Sequence, residues 1–224
     1  TPSQGKILVQ RRLLSGIESA NLWRVVGVVF QQSDDQLFAP TVLDDVMFGL
    51  LNLGLSRKEA KERAMHTLEA VGGAHLVQKI PNYLSGGEKR LVAIAGILAM
   101  RPQVIALDEP TSDLDPVNSA RIEKLIVGLK EEFGIGVVVA THDLDFAARI
   151  ADRICMVKNG SVFAEGPPAE VFYDTDLVRE AGLAIPSGIQ LYLDSCAAMG
   201  VVPGKRPVRR EELVAALKEV RENG

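Results

Sequence analysis

The 224-residue sequence is poor in cysteine, in basic excess and in long apolar runs, and each shortage excludes something. Its two cysteines, Cys155 and Cys196, are too few and too far apart for a disulfide framework, so a reducing compartment is expected. Lys and Arg number 25 against 29 Asp and Glu, a net charge of −4. A dedicated nucleic-acid binder needs clustered basic surface, so that class is set aside. Charge-free stretches such as Leu91–Met100 and Ala181–Leu193 fall short of a bilayer span, and Pro and Gly interrupt the second. The opening TPSQGKILVQRR has no apolar core of a signal peptide. Repeats and low-complexity tracts are missing as well. What remains is ordinary globular usage, 47% apolar and 24% charged, in a length suited to one substantial domain and a small appendage. The chain opens on Thr1 rather than Met, in what reads as the middle of a turn.

Apolar runs of strand length alternate with helical periods, the pattern of an α/β protein with parallel strands. Val25–Phe30, Val104–Leu107 and Val137–Ala140 are continuous and rich in β-branched residues, as expected for strands covered on both faces. Ile154–Val157 and Val162–Ala164 flank Asn159-Gly160, which predicts a hairpin with a type I′ turn. Ile7–Val9 reads as an edge strand. Ser56 and Glu59 form a capping box for a helix to about Val71, and Asp115-Pro116 opens a helix to about Phe133. Thr41–Asn52, Gly87–Met100 and Asp143–Ala151 are further helices.

After Gly166 the character changes to short helices over Pro167–Tyr173, Asp176–Gly182, Ser187–Met199 and Arg209–Glu222. Ile189, Tyr192, Leu193, Cys196 and Ala197 share one face of the third and are expected to be buried. Lys205, Arg206, Arg209 and Arg210 are offset by nearby glutamates and read as a solvated face. Cys155 and Cys196 read as small core hydrophobes. The expected domains are 1–166 and a helical C-terminal extension, 167–224.

The strongest chemical signal is VIALDEP, Val104–Pro110, a buried strand with two adjacent acids at its carboxyl end. Ligands of open α/β sheets bind at that end. Asp108 and Glu109 point to opposite sides of a strand, so one can hold Mg²⁺ while the other orients an attacking water. A plain surface turn after a core strand explains the same acids. Upstream, Leu84-Ser85-Gly86-Gly87-Glu88-Lys89-Arg90 leads directly into an apolar helix. Free N–H groups, the helix dipole and the Ser85 hydroxyl favour an anion there, and glycines allow close approach. Capping alone explains Ser85, yet does not ask for two consecutive glycines.

Together these residues resemble the ATP-binding subunits of ABC (ATP-binding cassette) transporters. LSGGEKR resembles the family's signature motif and VIALDEP its Walker B strand with the catalytic glutamate. Ser112-Asp113-Leu114-Asp115 is similar to the D-loop, Thr141-His142-Asp143 to the switch histidine, and Gln31 after VVGVVF to the Q-loop glutamine. QQSDDQLFAPTV followed by VMFGLLNLGLS is similar to the ATPases of energy-coupling-factor and cobalt or nickel importers.

The resemblance implies a P-loop NTPase-like fold with a helical subdomain at about 41–100, and a set of roles. Asp108 and Gln31 would hold Mg²⁺, and Glu109, His142 and Gln31 would be the catalytic residues acting on ATP. Ser85, Gly86, Gly87 and Asp115 would contact nucleotide, the signature residues reaching an ATP held by a second subunit in a head-to-tail dimer. An integral membrane subunit would dock on the helical subdomain near Leu37, Phe38, Met47 and Phe48, with Asp34 and Asp35 as acidic partners. Plain core packing is the competing reading for those apolar residues. The resemblance places the protein peripherally on the cytoplasmic face of the membrane. His66 and His75 receive no role.

One expected part is missing. No Gly-x-x-x-x-Gly-Lys-Ser/Thr precedes Gln31, and Gly204-Lys205-Arg206 lacks the spacing and the strand. Thr1–Val9 resembles the turn and strand that follow the P-loop helix in relatives. The expectation is an N-terminally truncated cassette with little ATPase activity by itself and poor solubility from exposed core surface. Two other functions compete: a non-transport ABC ATPase of repair or translation, whose coiled coils or second cassette are not found, and a degenerate cassette used only for assembly.

Overall fold

A computed structural model describes residues 4–9, 11–13, 22–32 and 36–223. Its contacts divide the chain into two units, Thr1–Ala140 and Thr141–Gly224.

The first unit begins with an antiparallel pair, β1 (Leu8–Val9) and β2 (Arg12–Leu13). Then come β3 (Val26–Val29), α1 (Val42–Asn52), α2 (Arg57–Ala70), α3 (Gly86–Ala99), β4 (Val104–Asp108), α4 (Pro116–Glu131) and β5 (Gly136–Ala140). The strands β3, β4 and β5 form a parallel sheet in that order, with Val26 opposite Val104 and Val104 opposite Gly136. Each helix starts where a side chain replaces the missing backbone acceptor. Thr41 caps α1, Ser56 and Glu59 close a capping box on α2, and Asp115 caps α4 ahead of Pro116. The predicted elements therefore form within one or two residues of their expected limits.

The core is centred on α3, whose Leu91, Val92, Ala93, Ile94, Ala95, Leu98 and Ala99 are all buried. A helix apolar on every side must be covered on every side. Strand β3 can lie this close because Gly27 has no side chain, since a Cβ there would stand 2.0 Å from Ile97 Cγ2. The inward sheet face carries Val29, Ile105 and Leu107. The other face does not meet the expectation of strands covered on both sides, because Val28 is 38% and Val138 59% exposed. The β-branched run encodes strand, and the covering of each face is decided by what packs there.

The second unit holds α5 (Leu144–Ile150), the hairpin β6 (Ile154–Lys158) and β7 (Ser161–Gly166), α6 (Pro168–Val171), α7 (Thr175–Glu180), α8 (Ser187–Ala198) and α9 (Arg210–Asn223). Asn159 and Gly160 have φ of 51° and 74°, the left-handed pair that a type I′ turn needs. Met156, Val171, Phe172, Val178 and Ile189 share a core, so the hairpin packs with the helices after it. The contact boundary therefore lies upstream of the 166/167 division read from the sequence. Tyr192 and Cys196 of α8 pack with Ala216 and Val220 of α9.

Three side chains differ from expectation. Ala197 is exposed, because α9 covers a narrower stripe of α8 than the apolar pattern suggests. Cys155 is exposed rather than a core residue, since strand alternation turns its neighbour Met156 inward. Arg209 is not merely solvated: Nη2 donates to Ala151 O at 2.8 Å and Nη1 to Ala148 O at 3.4 Å, which closes the carboxyl end of α5. No helix among the described residues is long and apolar enough to cross a membrane.

Candidate functional site

Strand β4 delivers Asp108 and Glu109 to the carboxyl edge of the sheet, where Asp108 is exposed and Glu109 half-buried. Glu109 has φ +43°, a left-handed conformation that costs a residue with a Cβ. Its backbone is held from both sides. The Glu109 N–H donates to Ala140 O on β5 at 2.9 Å, and Glu109 O accepts from Ser112 N at 3.2 Å and Ser112 Oγ at 2.9 Å. A strained residue clamped in this way is characteristic of functional turns. Asp113 follows with φ +60°. The Asp115 carboxylate accepts from Val117 N at 2.9 Å and Asn118 N at 3.0 Å, and these bonds, those of Asn118 foremost, lower its pKa. That carboxylate is committed to the first turn of α4.

Ser85 and Glu88 form a reciprocal capping box on α3. Lys79 Nζ pairs with Glu88 Oε1 at 2.9 Å, and Lys79 first, then the Ser85 N–H, draws the Glu88 pKa down to about 2. The two glycines between them differ. A Cβ on Gly87 would stand 2.6 Å from Asn118 Cγ, whereas a Cβ on Gly86 would meet only Leu114 Cδ2, at 3.8 Å. Packing against α4 therefore accounts for Gly87, and only Gly86 is left to explain by the approach of a ligand.

The side chain that joins these parts is one to which sequence reasoning assigned no role. Arg90, 4% exposed, donates from Nη2 to Gln31 O at 2.6 Å and from Nη1 to Phe30 O at 2.7 Å, with a longer contact to Asp108 O at 3.5 Å. Burial lowers its pKa, while the carboxylates of Asp108 and Asp113 oppose that shift. Its signal was a cation four residues before buried Ile94, where the charged run Glu88-Lys89-Arg90 meets the apolar stretch of the helix. Gln31 itself is exposed just beyond β3. Its loop is closed by Gln36, which accepts from Phe30 N at 2.9 Å and donates to Val28 O at 3.1 Å. Asp34 and Asp35 lie outside the described residues.

His142 belongs to the second unit and is exposed, two residues after β5 ends. Neighbouring Asp143 accepts from Phe146 N at 2.9 Å and caps α5. In the helical region the four apolar candidates split. Phe38 and Phe48 are 66% and 48% exposed, with ring centroids 4.8 Å apart, edge to face. Leu37 and Met47 are buried, so for these two the competing reading of core packing holds. Helical period turns Met47 to the same side as Val46 and Leu50. A cavity of about 130 Å³ opens beside the two rings, lined also by Asp45, Gly96 and Met100. Asp45 accepts from Phe38 N and Ala39 N at 3.1 Å each, while burial raises its pKa.

No group of three or more His, Cys, Asp or Glu among the described residues could cage a metal. A single exposed carboxylate such as Asp108 suits Mg²⁺, which keeps its waters and shares phosphate oxygens.

The ABC transporter family model matches residues 1–112. The chain is 41% identical over 207 residues to the energy-coupling factor transporter ATP-binding protein EcfA of Methanococcus maripaludis, covering 91% of this chain and 74% of that protein. It is 45% identical over 191 residues to an ABC transporter ATP-binding protein of Methanosarcina mazei, which covers 85% of this chain; the chain spans 58% of that relative's length. Among solved structures, cbiO1 from Clostridium perfringens, part of the ABC transporter complex cbiONQ, superposes with a TM-score of 0.71 at 40% identity, over 80% of this chain and 72% of that one. An ATP-binding cassette solved as a dimer in a post-hydrolysis state with ADP and Pi superposes with a TM-score of 0.65 at 33% identity, over 75% of each chain.

Proposed function

This chain belongs to the ABC transporter family of ATP-binding proteins, and we propose that it is the ATP-hydrolysing part of an importer of the energy-coupling-factor or cobalt type. The observation that carries the proposal is the end of β4. Asp108 and Glu109 stand together there, the Glu109 backbone is clamped at φ +43°, and Arg90 ties the same strand end to the helix that starts at Ser85.

In this reading Asp108, with Gln31, would hold Mg²⁺, which would supply neutralisation of charge on the phosphoryl oxygens. Glu109 accepts hydrogen bonds from the attacking water and orients it toward the γ-phosphate. His142 contacts the same phosphate. Ser85, Gly86 and the N–H groups of the first turn of α3 bind the γ-phosphate of an ATP held by a second subunit, so the working unit is a head-to-tail dimer. The tight capping box leaves those amides at a helix start, and Lys79 neutralises the nearby Glu88. The exposed Phe38–Phe48 pair and its cavity receive the membrane partner, placing the protein peripherally on the cytoplasmic face. The 224 residues contain no P-loop, so this polypeptide assayed alone is expected to bind ATP weakly and hydrolyse it negligibly.

The deciding measurement is ATP turnover by the transporter complex that contains this chain, with Glu109→Gln as the paired variant. Loss of a water-orienting carboxylate lowers turnover by about 100-fold or more. Equal turnover in the two proteins removes Glu109 from the chemistry, and an inactive wild-type complex favours a cassette used only for assembly.

A further inference from the structure

Resting on that reading, we propose that Arg90 is a positioning residue that mechanically links the two nucleotide sites a single chain serves. The link has two ends. Gln31 and Asp108 belong to the chain's own site, and Ser85–Gly87 face the site of the second subunit. Arg90 sits on the second turn of the same helix that begins with Ser85–Gly87, and its guanidinium grips backbone at the other three points. The Gln31 O and Phe30 O bonds, at 2.6 and 2.7 Å, span 59 and 60 residues of sequence, and the Asp108 O contact at 3.5 Å spans 18.

Two features make this a linkage rather than ordinary packing. The contacts are to carbonyls, so the backbone path of the glutamine loop is set whatever the side chain of Gln31 does. The planar fork also fixes both carbonyls at once, which a single donor cannot do. Arg90 is buried and its Nε has no hydrogen-bond partner, so the charge depends on these carbonyls for solvation. Letting go of them would strand a buried cation, so a shift at the start of α3 pulls the Phe30–Gln31 backbone along. The far side of that segment is anchored by the Gln36 side chain, which makes the Phe30 amide a direct reporter of the grip.

Arg90→Lys keeps the charge and one donor group but loses the fork; Arg90→Gln removes the buried charge and keeps one amide donor should the lysine variant fold poorly. In hydrogen exchange on the 224-residue chain, the Phe30 amide is expected to exchange at least tenfold faster in either variant, with Ile94 and Ala95 inside α3 changed less than twofold. In the transporter complex, the ATP dependence of hydrolysis is expected to lose its cooperativity, the Hill coefficient falling toward one, with KM within twofold. Unchanged Phe30 exchange, or faster exchange spread evenly through α3, overturns the proposal, the latter because it marks a purely structural role. An active wild type whose cooperativity survives in both variants overturns it as well. A wild type without turnover overturns the proposed function first, and the linkage of two sites with it.

Discussion

Gly87 and Asn118 lie so close that no side chain fits between them: a Cβ on Gly87 would be 2.6 Å from Asn118 Cγ and 2.9 Å from Asn118 Cβ. Gly87→Ala is therefore expected to destabilise the chain by about 1–3 kcal/mol through overpacking. In the double variant with Asn118→Ala the cost should be less than the sum of the two single changes, because the clashing Cγ and Oδ1 are gone. Gly86→Ala should shift stability by less than about 0.5 kcal/mol, since its surroundings are open. Denaturant unfolding of the four variants beside the unsubstituted chain distinguishes the two glycines.

The left-handed backbone of Glu109 makes a second prediction. Glu109→Gly should be more stable than Glu109→Ala by about 1 kcal/mol, because glycine adopts φ +43° without the Cβ clash. Both variants lack the carboxylate and should be equally inactive in the complex. Equal melting temperatures for Gly and Ala would show that the turn stores no strain.

The Lys79–Glu88 pair sets an acid-side dependence. Glu88 is lowered from 4.5 to about 2, so its contribution is fully present above pH 4.5 and disappears as pH falls from there toward 2. Lys79 is 47% exposed, so solvent screening reduces the pair to about 1 kcal/mol or less. Glu88→Gln can keep the capping box but not the ion pair, and its unfolding free energy should lose that part of the slope between pH 4.5 and 2. Parallel pH profiles for the two proteins would count against the pair.

The open face of the sheet predicts behaviour in solution. Val138 on β5, 59% exposed, and Val28 on β3, 38% exposed, stand in register on either side of Ala106 of β4. Val28→Thr with Val138→Thr should raise the concentration at which the 224-residue chain stays monomeric, with stability changed by less than about 1 kcal/mol for the pair. Sedimentation at increasing concentration reads this directly.

Much of the molecule was legible residue by residue. Cap chemistry located helix starts because it is local: Ser56 with Glu59 and Asp115 with Pro116 each act on amides within three residues. The Asn159-Gly160 turn was legible for the same reason, as it depends on two backbone angles. Asp108 and Glu109 stood out because a buried strand ended on paired acids. Ala197 and Cys155 went the other way, since period tells which residues share a face and not which faces meet a neighbour.

The sequence by itself determined the order of elements, the helix caps and the line of residues that mark an ABC cassette. All of these rest on interactions spanning a few positions. Only the tertiary structure decided that Gly87 is small because of Asn118, that Val28 and Val138 on one sheet face are exposed, and that Arg90 grips the ends of β3 and β4 across up to 60 residues. Those contacts are made between segments distant in the chain, where neither spacing nor propensity carries information about distance.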